Sequence, residues 1–234
     1  MMESETFTLA SRDEVARFEE LLEQYASARA QFPLKHISLL SAFDQLQTGN
    51  DGGRIFSALL DIQINFVLLH LDSHSAGAIW NEKFSKGKLE GGSVLDSPAK
   101  FFGKMDIHRF NSSLVLRYRA LWDKIMGLIV MTWAPAEYET FSGAKGKKRT
   151  FAKIAAKLDP AGKELTKGLE ELLTNFDNQF RTSEAHGTGA LRKYSFKMES
   201  MANNPLIELI GYWNALNDFI VEIGKMFGDK RRER

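Results

Sequence analysis

Residues 107–133 read IHRFNSSLVLRYRALWDKIMGLIVMTW. Phe110, Leu114, Tyr118, Leu121, Ile125, Leu128 and Thr132 recur every three or four positions, with Leu116, Trp122 and Ile129 beside them. That period is the period of an α-helix. At 1.5 Å of rise per residue the helix would run roughly 40 Å and set the long dimension of the fold. Ala134-Pro135 ends it.

The same period extends outward in both directions. Ser11-Arg12-Asp13-Glu14 has the hydroxyl and the carboxylate of a capping box. Val15, Phe18, Leu21, Leu22 and Tyr25 follow at helical spacing, up to Phe32-Pro33. A second helical run covers Leu34 to Leu46, and Gly49-Asn50-Asp51-Gly52-Gly53 is a turn. From Arg54 to about Phe84, Phe56, Leu59, Leu60, Gln63, Phe66, Val67 and His70 share one side, and Ile55, Ile62 and Leu69 widen the stripe. So broad an apolar face predicts a central helix. Ser85 to Ser97 reads as a loop, closed by Ser97-Pro98 as N-cap and first helical residue. Asp159-Pro160 and Asn204-Pro205 repeat that signal. They predict helices over Pro160 to about Phe180 and Pro205 to about Phe227, with a short helix over Ala190 to about Met201 between them. All five prolines fit helix starts or breaks, and no alternating strand pattern is present. The expectation is an all-α, multi-helix bundle in a single domain over 11–228, with an N-terminal tail over 1–10 and a basic C-terminal tail over 229–234.

Composition narrows the function classes. The chain is 44% hydrophobic and 26% charged, with a net charge of +1, so partner preference must come from local patches. It has no cysteine, which removes disulfides, thiolate catalysis and cysteine-ligated zinc. The longest uninterrupted apolar run, Ile125 to Met131, is too short to span a bilayer. These features predict a cytoplasmic protein with no membrane partner.

Functional side chains crowd into one place. Phe176 to Gly189 holds Arg181, Thr182, Glu184 and His186, then Gly187-Thr188-Gly189, and Arg192 and Lys193 follow. Arg181 and His186 form an Arg-x4-His pattern between an apolar-faced helix and a glycine turn. An Arg-x4-His motif late in an all-helical chain resembles the HEPN superfamily. That resemblance implies a dimer in which two motifs meet, and metal-independent endoribonuclease activity, often in toxin–antitoxin or phage-defence systems. It gives Arg181 and His186 the catalytic roles. The family often places Asn, Asp or His directly after the arginine, where this chain has Thr182.

The chemistry of the two residue types is consistent with that role. RNA carries its own nucleophile, the ribose 2′-OH. A histidine titrating near neutrality can take its proton or protonate the leaving oxygen. An arginine can hold the phosphate bidentately and stabilise transition-state charge. On one ideal helix, positions five apart point about 140° away from each other, so a symmetric homodimer would be needed to bring the pair together. The plainer reading makes Arg181 and Glu184 a helix-surface ion pair and His186 a helix C-terminal histidine. The chain would then be a non-enzymatic dimerisation or interaction module.

Lys145, Lys147, Lys148, Arg149, Lys153 and Lys157 form a second cluster, with no acidic residue from Ser142 to Leu158. It reads either as a solvated linker or as a guide for a phosphate backbone. In the second case Lys147, Lys148 and Arg149 join Thr182, Glu184, Arg192 and Lys193 as candidate substrate contacts. His70 and His74 have a metal-binding spacing around Asp72, but no third ligand is marked. No metal or cofactor is expected. Trp80, Trp122, Trp133 and Trp213 fall in apolar helical patterns and read as core.

Overall fold

The computed structural model describes residues 11–28, 39–46, 52–80, 97–181, 211–212, 214–216 and 218. The chain is all-α: 91% helical, with no strand, among these residues. The helices are α1 (Arg12–Ser27), α2 (Leu39–Leu46), α3 (Gly52–Trp80), α4 (Pro98–Trp133), α5 (Tyr138–Ser142), α6 (Lys147–Ala155) and α7 (Pro160–Phe176). A 3-10 turn, Pro135–Glu137, precedes α5, and a π-helical turn, Asp177–Arg181, continues α7. The expected loop over 85–97 lies outside the described residues except for Ser97, and the short helix over 190–201 lies wholly outside them. Within the expected last helix, the described residues 211–212, 214–216 and 218 are helical.

Several boundaries differ from the sequence reading: α1 ends at Ser27, short of Phe32-Pro33, and α3 already begins at Gly52, within the expected turn. The long helix is longer than the 107–133 pattern, because α4 runs unbroken for 36 residues, about 54 Å at 1.5 Å per residue. Its start is fixed at Ser97-Pro98. The Ser97 hydroxyl accepts from the Lys100 N–H at 3.3 Å, and the Ser97 carbonyl accepts from the Phe101 N–H at 3.2 Å. The basic stretch after Gly143 is also largely helical. Phe151, Ile154 and Ala155 are buried on one face of α6, and burying that face stabilises a helix too short to persist alone.

The described residues form two compact units. The first takes those within Met1–Val67, Asp123–Thr166 and Leu216–Arg234; the second takes those within Leu68–Trp122 and Lys167–Ala215.

In the first unit, α1 begins with a complete capping box between Ser11 and Glu14. The two hydrogen bonds from Ser11 hold the Glu14 carboxyl below its ordinary range. The Glu19 carboxylate of α1 accepts from the Leu39 and Leu40 N–H groups at 2.9 and 3.2 Å. It thereby satisfies donors that the start of α2 would otherwise leave unpaired. Phe43 meets Phe56 edge to face at 5.3 Å. Phe56, Leu59, Ile62 and Phe66 of α3 are buried, as are Ile125, Met126, Leu128, Ile129 and Val130 of α4. Each such side chain contributes about 1.5–3 kcal/mol on full burial. By length and composition, Gly52–Ser75 of α3 also suffices to cross a bilayer, and 44% of its most apolar window is buried within the protein. Counting uninterrupted apolar runs in the sequence passes over it, because Asp61, Gln63 and Asn65 divide them.

The second unit is built on aromatic residues. Tyr118, Trp122, Phe176 and Phe180 are fully buried. Trp122 meets Phe176 edge to face at 4.6 Å, and Tyr212 meets Phe176 and Phe180 at 5.3 and 5.9 Å. Pairs of this geometry add about 0.5–1.5 kcal/mol each beyond their area. On the surface of the unit, Arg117 and Asp72 pair at 3.1 Å.

Candidate functional site

The C-terminal end of α7 carries the candidate site. α7 starts where Asp159 accepts from the Gly162 N–H at 2.7 Å through its carboxylate and from the Lys163 N–H at 2.9 Å through its carbonyl. A Cβ on Gly162 would lie 3.1 Å from both Leu158 Cβ and Asp159 Oδ1, so the close turn favours glycine there. Leu169, Leu173 and Phe176 are buried at helical spacing. The winding then widens to π over Asp177–Arg181. Phe176, Asp177 and Phe180 all remain buried through the change. Single π turns inside or at the end of α-helices are frequent at functional sites.

Asp177 is a charged residue in an apolar core. Its carboxylate lies 3.5 Å from Arg119 Nε of α4, with side chains 7% and 12% exposed. A buried charge needs a partner, and breaking a buried pair is costly. On the residue before Arg119, burial pushes the Tyr118 phenol far above its ordinary range, against a smaller lowering by its hydrogen bond with Ser73, so Tyr118 remains neutral. On the exposed side of the π turn, the Tyr212 hydroxyl donates to Gln179 Oε1 at 2.8 Å. Two buried rings, one buried ion pair and one surface hydrogen bond therefore hold the turn.

Arg181 is the last residue of that turn. The sequence-predicted residues Thr182, Glu184, His186, Arg192 and Lys193 lie outside the described residues. The geometry between Arg181 and His186 therefore lies outside the described residues as well.

Lys147, Lys148 and Arg149 form the first turn of α6, in the other unit. Lys147 is engaged locally. Its ammonium donates to the carbonyls of Phe141 and Ser142 at 3.2 and 2.7 Å and stands 4.8 Å from the Phe141 ring centre. It thus closes the C-terminal end of α5, where carbonyls lack helical partners. Arg149 is exposed.

His70 is buried on α3, and His74 is half-buried one turn on. Among the described residues no third histidine, aspartate or glutamate joins them in a metal-holding group. The two site residues that sequence reasoning missed are Arg119 and Asp177. They are 58 positions apart in the chain (177 − 119), and only folding reveals the pair.

The chain matches no family model, no curated protein and no solved structure.

Proposed function

We propose that this protein binds single-stranded RNA and cuts it without a metal, through Arg181 and His186 contributed by two copies of the chain. The observation that carries the reading is the setting of Arg181. Its backbone ends a π turn anchored by Phe176, Phe180 and the Asp177–Arg119 pair. Transition-state stabilisation needs a cation whose position is fixed before the reaction, because reorganisation then costs nothing at the moment of charge development. An arginine on a freely moving loop would not meet that need.

In this reading Arg181 holds the scissile phosphate and offsets charge on the phosphorane. His186 takes the 2′-OH proton or returns one to the leaving 5′ oxygen. The 2′ oxygen attacks phosphorus, the 5′ oxygen leaves with a proton, and the product carries a 2′,3′-cyclic phosphate. Thr182, Glu184, Arg192 and Lys193 are the candidate substrate contacts of this reading. A cytoplasmic homodimer is part of the same proposal.

The test is a labelled single-stranded RNA incubated with wild type and variants in EDTA. Wild type should release a 2′,3′-cyclic phosphate end, and a 2′-deoxyribose at the cut position should block it. His186→Ala and Arg181→Ala should abolish turnover. Arg181→Lys should recover only part, because an ammonium keeps the charge and loses the planar fork. Wild-type turnover in His186→Ala would refute the assignment.

One observation favours a second reading, a non-enzymatic helical module that binds another copy of itself. Phe101, Phe102 and Met105 of α4 are exposed, Phe102 at 62%, and Leu116 is 69% exposed further along the same helix. Exposed apolar residues gathered on one helix mark contact surfaces. If no RNA is cut, while Phe102→Ser with Leu116→Ser dissociates a dimer, this reading replaces the first.

A further inference from the structure

We infer that the outward ridge of α6 is a docking surface for the phosphate backbone of single-stranded RNA, gripped by Lys145, Arg149 and Lys153. RNA as the occupant follows from the function proposed above, but the ridge itself is read from three independent features of the first unit.

The first feature is register. Phe151, Ile154 and Ala155 turn inward, which leaves Arg149 and Lys153 exposed on the opposite face. They are one turn apart. Lys145 lies four residues before Arg149, and Lys157 lies four residues after Lys153. Residues four apart on a helix form a single row, and each step is about 6 Å along the axis. Lys145 and Lys157 are exposed just beyond the two ends of the helix, next to that row.

The second feature is the absence of internal neutralisation. Within this basic segment Lys147 and Lys157 are among the cations with structural tasks. Lys147 closes the end of α5, and Lys157 pairs with Glu137 at 2.8 Å. Lys145, Arg149 and Lys153 make no ion pair among the described residues, and no acidic residue occurs from Ser142 to Leu158. The neighbours of Arg149 at four residues in each direction are both lysines. Like charges at that spacing repel. The first turn of α6 is basic, and its N-cap, Gly146, offers no side-chain cap, so its cations also oppose the helix dipole. Local rules broken without an internal gain point to a function outside the fold.

The third feature identifies the class of ligand. The other exposed residues beside Arg149 and Lys153 are small, Gly146 and Ala156, and the half-buried flanks hold Lys148, Thr150 and Ala152. A protein partner is usually anchored by aromatic or other large side chains, and insertion into a membrane surface needs large apolar residues. The ridge offers neither, and it has no ring on which a base could stack. What it offers is a line of charge, which suits a regularly spaced polyanion and reads no sequence.

The experiment is fluorescence anisotropy of a labelled single-stranded 20-mer RNA of mixed sequence, from 50 to 200 mM KCl. It uses wild type, Arg149→Glu with Lys153→Glu, and Arg181→Ala, all with EDTA and a 2′-deoxy substitution that prevents cutting. The double variant should bind at least about 10-fold more weakly at 50 mM. Its log–log salt slope should be shallower by about 1.4, two contacts at about 0.7 each. Both substitutions place carboxylates on an exposed face, and circular dichroism should show wild-type helicity. Arg181→Ala should keep the contribution of Lys145, Arg149 and Lys153 to the slope, about 2. Equal affinity and slope in wild type and double variant would overturn the inference, and so would wild type binding polyglutamate as tightly as RNA. If His186→Ala cuts as wild type does and the double variant still loses RNA, the catalytic reading falls and the ridge stands. If wild type fails to bind RNA at 50 mM, both fall.

Discussion

His70, Arg119 and Asp177 each place a polar group where apolar packing would be expected. His70 is buried on α3. Burial holds its imidazole below the ordinary value of 6.5, and the charge of His74 pushes the same way. The unfolded chain therefore binds the proton more readily than the folded one below about pH 6.5. Stability contributed by neutral His70 is present above that pH and is lost as pH falls. Urea midpoints should drop between pH 7 and pH 5.5 in wild type, and His70→Gln should show a smaller drop. An identical pH dependence in the two proteins would exclude the effect. The Arg119–Asp177 pair makes a separate prediction. Asp177→Asn should cost about 3–5 kcal/mol, because it removes the carboxylate charge from a buried ion pair. Asp177→Leu combined with Arg119→Met should recover most of that loss, since an apolar pair of similar volume carries no charge to desolvate. Chemical denaturation of the three proteins checks the order. The double variant tests the anchoring role as well: if RNA turnover survives in it unchanged, the ion pair is not what orients Arg181.

The helices differ in how plainly their residues declare them. α4 was legible from Phe110 to Thr132, because its apolar period is sustained over many turns. Ser97-Pro98 marked the helix start, but its continuity into the 107–133 pattern was harder to see. Gly103 and the charged residues Lys104 and Asp106 interrupt the stripe, and a single interior glycine costs about 1 kcal/mol, too little to end so long a helix. α6 hid behind its charge. Phe151, Ile154 and Ala155 have helical spacing, but three apolar residues among so many cations carry a weak signal, and burial decided the outcome. With that helix in place, the row of Lys145, Arg149 and Lys153 becomes simple counting. The π turn at Asp177–Arg181 left no mark in the sequence, because α and π winding differ in hydrogen-bond register and not in residue type. α7 offers a clean test of propensity. Gly168 is exposed in its interior, and a Cβ there would meet nothing within 4 Å. Gly168→Ala should stabilise the protein by about 0.5–1 kcal/mol, which is roughly 1–4 °C in Tm for a chain of this size. A lower Tm would mean that the glycine serves a contact which the helix surface does not reveal.

At the scale of the molecule, the all-helical class was readable because every long segment repeats one period. The candidate site was readable only as residue types crowded together. Arg181 stood out by composition, whereas the Arg119–Asp177 pair in the turn that it ends depends on long-range packing that no local pattern encodes. The central claim is that one reaction centre takes its arginine and its histidine from two chains. Two copies should therefore associate, with a light-scattering mass of twice 26.5 kDa. Subunit mixing tests the claim most directly. Arg181→Ala and His186→Ala are each purified, shown to be inactive on labelled single-stranded RNA, then mixed, allowed to exchange subunits and assayed again. A mixed dimer keeps one Arg181 and one His186, on different chains, facing the shared cleft. The account predicts that turnover returns in the mixture and rises with the fraction of mixed dimers. A mixture that exchanges subunits and stays inactive, while wild type cuts, would contradict it.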